Sequence, residues 1–392
     1  MADEHVVLYR QYRPQTFDEV VGQDMPVSAL RHAVMTGKLA HAYLFCGQHG
    51  TGKTTIAKIL ARAVNCESPH NGNPCNECPC CKSILAGSNM DVVEMDAASN
   101  NGVDDIRPIV SDVNFAATTA RKKVYIIDEV HMLSKGAFNA LLKTIEEPPK
   151  NVIFIFATTE LEKIPSTITS RCQKFDFKRI PVNLMMERLR SVCNDTGIKI
   201  SDDALRLVAA RSDGALRDAL SLLDQVSVVF NNGEPITTKE IEQITGTVDT
   251  PFLCRMTNAL LDGRTDEIID LAQEINDSGK NQSRFALDLA YYFRDLYVVK
   301  VKANPSMYLP YSEEDVAAMY QTAAKATLNT LKAFVETLSD LSGKLSRSSN
   351  AALDLEVYLM GLSGKKVCLT PSAIPIPGAM QNNPVNNIDR NL

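Results

Sequence analysis

Gly47-Gln48-His49-Gly50-Thr51-Gly52-Lys53-Thr54 fits G-x-x-x-x-G-K-[ST] at every position. Ala42-Tyr43-Leu44-Phe45-Cys46, before it, is an apolar run of strand length, and Lys53 to about Asn65 reads as a helix. Strand, glycine-rich turn and helix in that order form a phosphate-binding loop: the glycines let backbone N–H groups converge on an anion, and the helix start adds its positive dipole end. Lys53 is expected to neutralise β- and γ-phosphates and the Thr54 hydroxyl to ligate Mg²⁺. The nucleotide cradle is taken as Gly47, Gln48, His49, Gly50, Thr51, Gly52, Lys53, Thr54 and Thr55.

Outward from the loop, Asp91–Met95, Lys123–Ile127 and Val152–Ala157 are further short apolar runs, with helical patterns such as 26–38 and Ala137–Glu146 between them. Strands alternating with helices predict a parallel sheet. Val124-Tyr125-Ile126-Ile127 ends in Asp128-Glu129, two acids at the C-terminal end of a buried strand, where ligands of such sheets bind. Asp128 is expected to hold Mg²⁺, and Glu129 to orient and deprotonate an attacking water. The second acid favours hydrolysis over transfer to a small substrate. After Pro181 the pattern becomes helical, with segments at 184–196, 202–211, 214–230 and 238–245. Longer helical patterns follow from about 250 to 362, and the last stretch is rich in Pro and Asn. The predicted organisation is an α/β P-loop domain over 1–180, all-α domains over 181–245 and 246–365, and a disordered tail or linker over 366–392.

The composition agrees. A chain of 392 residues, 45% hydrophobic and 22% charged, suits two or three globular domains. It excludes collagen-like, disordered and disulfide-scaffold classes. No apolar run approaches the roughly 20 residues of a membrane span, and the acidic start Met1-Ala2-Asp3-Glu4 lacks a signal-peptide pattern, so a cytoplasmic location is expected. The net charge of −6 is uneven: residues 1–180 carry 20 basic and 20 acidic residues, and 181–392 carry 21 and 27. Five of the ten cysteines fall between Cys66 and Cys81. The spacing Cys66-x8-Cys75-x2-Cys78-x2-Cys81 offers four thiolates without an open position, which reads as structural Zn²⁺; Cys80 is set aside because both retained short spacings are x2.

The order P-loop, Asp128-Glu129-Val130-His131, Ser170-Arg171-Cys172 and Gly214-Ala215-Leu216-Arg217-Asp218-Ala219 resembles the AAA+ clamp-loader ATPase family of bacterial DNA polymerase III. Tyr12-Arg13-Pro14-Gln15-Thr16-Phe17, Asp96-Ala97-Ala98-Ser99 and Asn139 through Pro149 support it, densely over 8–245 and only architecturally over 246–365. The resemblance implies a zinc module at the cysteine segment and a sensor at Thr158 or Thr159, with Thr159 preferred. It further implies an arginine finger at Arg171 reaching a neighbouring subunit's ATP, and a second sensor at Arg217 on its own subunit's phosphates. Adenine would lie between the lead-in from Tyr12 to Gly22, Val21 included, and the helical lid. The implied function is an ATP-dependent motor subunit of the polymerase III holoenzyme that loads a sliding clamp on primed DNA. The implied partners are other subunits in a pentameric ring, the clamp, DNA bound without sequence preference, and the polymerase core through a longer product. No polymerase site is expected. Asn100-Asn101-Gly102, where relatives can carry a cation, weakens the expectation of a DNA contact there. Competing readings are a P-loop nucleotide kinase with a zinc lid, a non-hydrolysing scaffold subunit, which would be expected to lack Lys53, and a branch-migration motor, against which the zinc segment argues.

Overall fold

The computed structural model describes residues 6–230, 233–246, 248–305, 309, 311 and 313–363; the tail expected over 366–392 lies outside them, as does Cys368. The chain divides into two compact units, one ending at Thr245 and one beginning at Gly246.

The first unit is built on five parallel strands: β1 Ala42–Cys46, β2 Val92–Asp96, β3 Lys123–Asp128, β4 Val152–Thr158 and β5 Gln173–Asp176. Their spatial order is β2-β3-β4-β1-β5, with Ala42 opposite Phe154 and Tyr43 opposite Gln173. The expected parallel sheet is present, with one edge strand more than the four apolar runs announce. In β5 only Phe175 is apolar, and Gln173, Lys174 and Asp176 are exposed. A short edge strand with one covered residue has no alternating pattern to betray it.

Strands covered on both faces lose the polar alternation of half-buried ones and become near-continuous apolar runs. Along β1 and β4, Tyr43, Phe45, Ile153 and Ile155 point to one face, where Leu30, Ile56, Ile59 and Leu60 cover them. These come from α2 (Asp24–Thr36) and α3 (Lys53–Asn65). Leu44, Phe154 and Phe156 point to the other face, against Ile106, Phe138 and Leu141 of α5 (Val103–Asp112) and α6 (Lys135–Glu146). Deleting any of these aromatic side chains would cost about 3–5 kcal/mol, because a doubly covered layer cannot collapse onto the hole. The remaining helices of this layer are α4 (Pro79–Leu85) and α7 (Ser166–Thr169), and the lead-in carries α1 (Leu8–Gln11).

Helices α8 (Val182–Thr196), α9 (Asp202–Arg211), α10 (Leu216–Val229) and α11 (Thr238–Thr245) complete the first unit around Met185, Leu189, Val208 and Leu223. Leu8 of α1 belongs to the same cluster, so the lead-in is anchored among these helices.

The second unit is all-α: α12 (Thr250–Asp262), α13 (Thr265–Asp277), α14 (Gln282–Val301), α15 (Glu313–Ala324), α16 (Leu328–Leu345) and α17 (Ala351–Leu362). Side-chain caps start four of them, at Asp249, Asn281, Thr327 and Asn350, each satisfying an orphan N–H of the first turn. The core holds Phe293 and Phe334 with centroids 4.4 Å apart. No described helix is long and apolar enough to cross a membrane.

Candidate nucleotide and metal sites

At the end of β1 the chain curls through Gly47–Gly52. Gly50 sits at φ +70°, and a Cβ there would stand 2.8 Å from the Cβ of Ala215, so only glycine lets the loop meet the start of α10. Gly52, at φ +101°, turns the chain into α3, whose first residue is Lys53. Lys53 is 4% exposed, and its Nζ donates to the carbonyls of Gly47 (2.7 Å) and Gln48 (2.8 Å). Burial lowers its pKa, against the pull of Glu129 and Asp128. An anionic ligand offers this ammonium stronger acceptors than two carbonyls.

The Thr54 hydroxyl donates to Asp128 Oδ2 at 2.5 Å, so the end of β3 and the start of α3 bring two hard oxygens together, the donor set Mg²⁺ prefers. Next to it, Glu129 occupies left-handed backbone at φ +46°. Such strain in a side-chain-bearing residue gathers at functional sites. Its carboxylate is held from three directions: Thr159 Oγ1 donates to Oε2 at 3.1 Å, His131 Nδ1 lies 3.4 Å from Oε2, and His49 Nδ1 lies 3.4 Å from Oε1. The His131 side chain is 6% exposed, with Nδ1 3.2 Å from Thr158 Oγ1 and Nε2 3.3 Å from Glu160 Oε1. Thr158 and Thr159 therefore part company. Thr159 reaches Glu129, whereas Thr158 is fully buried and accepts from the Glu160 backbone N–H at 3.0 Å.

These groups border a cavity of about 670 Å³, within the usual range of small-molecule sites. Its polar lining includes His49 through Thr55 with Arg13, Asp96, Asp128 and Glu129; the apolar lining includes Tyr12, Pro14, Val20 and Val21 from the lead-in and Leu216 and Leu220 from α10. Arg217 joins it, its guanidinium carbon 5.0 Å from the centroid of the Tyr9 ring. Gly47, Gln48 and Thr159 are not in the lining; they act on it through Lys53 and Glu129. Arg171 is not in it either. It follows α7, half exposed, and binds Glu146 Oε1 (2.7 Å) and the Thr167 carbonyl (2.7 Å).

In the cysteine segment, the sulfurs of Cys66, Cys75, Cys78 and Cys81 all lie within 4.8 Å of one another. A tetrahedral ion with Zn–S bonds of about 2.3 Å would set thiolates roughly 3.8 Å apart, so the four fit such an ion. Backbone N–H groups of Cys75, Cys78 and Cys81 already donate to the sulfurs of Cys66, Cys75 and Cys78, at 3.2–3.4 Å. Hydrogen bonds from the backbone of Cys78 and Glu77 bring the Cys75 thiol down to about 6, favouring the ligating thiolate. Cys80 is buried on α4 and is not one of the four.

Three family models tile the chain. "DNA polymerase III, delta subunit" matches residues 22–181, "DNA polymerase III clamp loader subunit, ATPase lid domain" matches 185–232, and "DNA polymerase III subunits gamma and tau domain III" matches 236–374. DNA polymerase III subunit tau of Bacillus subtilis is 47% identical over 75% of this chain and 52% of its own length. DNA polymerase III subunit gamma/tau of Mycobacterium tuberculosis is 36% identical over 96% of this chain and 64% of its own length. The chain belongs to the DNA polymerase III gamma/tau family. It spans about half to two thirds of the length of these relatives. Among solved structures, RuvB of Thermotoga maritima aligns over 64% of this chain and 80% of its own, with 22% identity and a TM-score of 0.46.

Within the gamma/tau family fold, sequence reading missed four residues at this site. His131 stands in the sequence only as the fourth residue of Asp128-Glu129-Val130-His131. Arg13, which lines the cavity and donates to Thr55 Oγ1 at 3.1 Å, and Tyr9, under Arg217, were assigned no role. Gln23 belongs to no motif; buried, it donates to the carbonyls of Thr51 and Lys178 and so ties the P-loop to the exit of strand β5. Each acts through a partner distant in sequence, which no local spacing encodes.

Proposed function

We propose that this chain is an ATP-hydrolysing motor subunit of a bacterial clamp loader, acting in the cytoplasm with other clamp-loader subunits around a sliding clamp and primed DNA. The observation that carries the reading is the junction of α3 and β3: Lys53 in the loop, Thr54 bonded to Asp128, and Glu129 held beside them at the edge of one cavity. In this reading ATP lies with its phosphates against His49–Thr55 and its base among Tyr12, Val21 and Leu216. Lys53 and Arg217 offset phosphate charge, and Thr54 and Asp128 hold Mg²⁺, which supplies charge neutralisation at the phosphates. Glu129 takes a proton from the attacking water while Thr159 fixes its orientation, and Arg171 serves the site of the next subunit.

Zn²⁺ on Cys66, Cys75, Cys78 and Cys81 would be structural, cross-linking a segment too short to hold itself. The P-loop domain would run over 1–180, the lid over 181–245 and an oligomerising collar over 246–365. The break between the first two family matches, at 181–185, supports the first boundary, and the division into compact units at Thr245 and Gly246 supports the second, although the third match already begins at 236.

The test is ATP turnover by the purified chain alone, then with partner subunits, clamp and primed DNA. Stimulation by the full set, and an E129Q chain that binds ATP without turning it over, are the expected results. Phosphorylation of AMP or a nucleoside with no response to DNA would overturn the reading in favour of a kinase.

A further inference from the structure

The cysteine segment is joined to the lead-in by side chains that the ligand set does not use. Asn76, in left-handed backbone at φ +59° between Cys75 and Cys78, donates to the Gln15 carbonyl at 3.3 Å and accepts from Arg62 Nε at 3.1 Å. Arg62, buried near the end of α3, donates to the same Gln15 carbonyl at 2.8 Å. Asn73 is 8% exposed; its Oδ1 accepts from the buried Phe17 N–H at 2.8 Å and its Nδ2 donates to Asp18 at 2.6 Å. Gln15 in turn donates to the Arg13 carbonyl.

Residues 15–18 are thus pinned at three backbone or side-chain points, and the stretches on both sides of them line the cavity: Tyr12, Arg13 and Pro14 before, Val20 and Val21 after. Apart from Phe17, which enters the core, nothing apolar in 13–19 is fully buried. Tyr12 and Val21 pack on the lid helices, Phe17 and Val20 on the sheet core, Arg13 bonds Thr55 and Arg31 pairs with Asp18; between these anchors, residues 15–18 are set by polar bonds from Asn73 and Asn76 of the cysteine loop and from Arg62 of α3. A 16-residue loop has no core of its own, so the four sulfurs at its ends and turns decide where Asn73 and Asn76 stand.

We propose that Asn73, Asn76 and Arg62 are positioning residues for the nucleotide: the cysteine module is the anchor that holds residues 12–21 as the base-side wall of the ATP cavity. This rests on the reading of that cavity as an ATP site. The P-loop is a separate wall, so the anchor governs affinity for the nucleoside part and leaves the phosphate floor and the chemical step alone.

The test uses the full chain with Asn76→Gly, which tolerates the positive φ and removes both side-chain bonds, Asn73→Ala, and the two combined. A fluorescent ATP analogue reports affinity, and tripolyphosphate, which can touch only the phosphate floor, displaces it. If the ordered wall falls to about a tenth of the population, the apparent Kd and the KM for ATP rise about tenfold in the double variant. The turnover number and tripolyphosphate affinity stay within about twofold. Bound zinc is retained, and amide exchange over 12–21 accelerates. Asn76→Asp, which keeps an acceptor for Arg62, restores most of the affinity lost in Asn76→Gly. Unchanged ATP affinity in the double variant, or an equal loss of tripolyphosphate affinity, overturns the proposal. Should the double variant lose zinc, Asn76→Gly alone, with all four thiols and Asn73 intact, decides by the same two readouts. A wild-type chain that binds no ATP would instead defeat the functional reading.

Discussion

Replacing Thr159 by valine removes one hydroxyl and keeps shape and β-branching. In the structure that hydroxyl has one described task, donating at 3.1 Å to Oε2 of Glu129. A hydrogen bond to a charged acceptor is worth about 1.5–3 kcal/mol. If that energy orients the base in the transition state, its loss lowers turnover about tenfold to hundredfold, at 1.36 kcal/mol per decade. ATP affinity should hardly change, since Lys53, Thr54 and Asp128 keep their own contacts. Thr158→Val is the companion experiment. Its hydroxyl, fully buried, serves the Glu160 backbone N–H and His131 instead. That variant should leave a buried donor unsatisfied and lose about 1–3 kcal/mol of stability, with a smaller effect on turnover. Steady-state ATPase assays of the assembled complex, nucleotide titrations and thermal melts of both variants separate the two. A collapse of turnover in Thr158→Val with Thr159→Val near wild type would refute the assignment of Thr159 to Glu129.

Cys75→Ser should reduce bound zinc from one ion per chain to less than half, measured by elemental analysis, because a hydroxyl replaces the sulfur whose thiolate form is most favoured. Arg217→Leu should weaken ATP binding about tenfold, read by nucleotide titration, as a cation leaves the cavity lining; unchanged affinity would remove Arg217 from the phosphate contacts.

What the sequence made legible was whatever a fixed local spacing encodes. The P-loop glycines, Lys53 and Thr54, and the acids after a four-residue apolar run need only their neighbours to be recognised, and the sheet brings them together as that logic requires. Three of the four cysteines cluster for the same reason, since x2 spacing turns Cys75, Cys78 and Cys81 toward one point, and the loop after α3 brings Cys66 to them. Strand β5 was not legible: Gln173, Lys174 and Asp176 face solvent, and edge strands need no apolar rhythm. The roles of Gln23, 155 residues from its partner Lys178, and of Arg13, 42 residues from Thr55, exist only in three dimensions. Asn73 and Asn76 lie between the cysteines of the metal segment. Both are turn formers whose amides also reach the lead-in, a use that composition cannot disclose. Thr158 and Thr159 are adjacent and chemically identical, and only the alternation of side chains at the end of β4 sends one to His131 and the other to Glu129.

Arg171 is half exposed, paired with Glu146 and absent from its own chain's cavity, as a group serving a neighbour would be. The decisive measurement is ATP hydrolysis by clamp-loader assemblies built from mixtures of Arg171→Ala and Glu129→Gln chains, with clamp and primed DNA present. Each variant alone should bind ATP normally and hydrolyse it slowly, by a factor on the order of 10² or more. Mixed assemblies should regain activity wherever an intact Arg171 faces an intact Glu129. Full activity of the Arg171→Ala assembly, or no recovery on mixing, would contradict a site completed by the adjacent subunit.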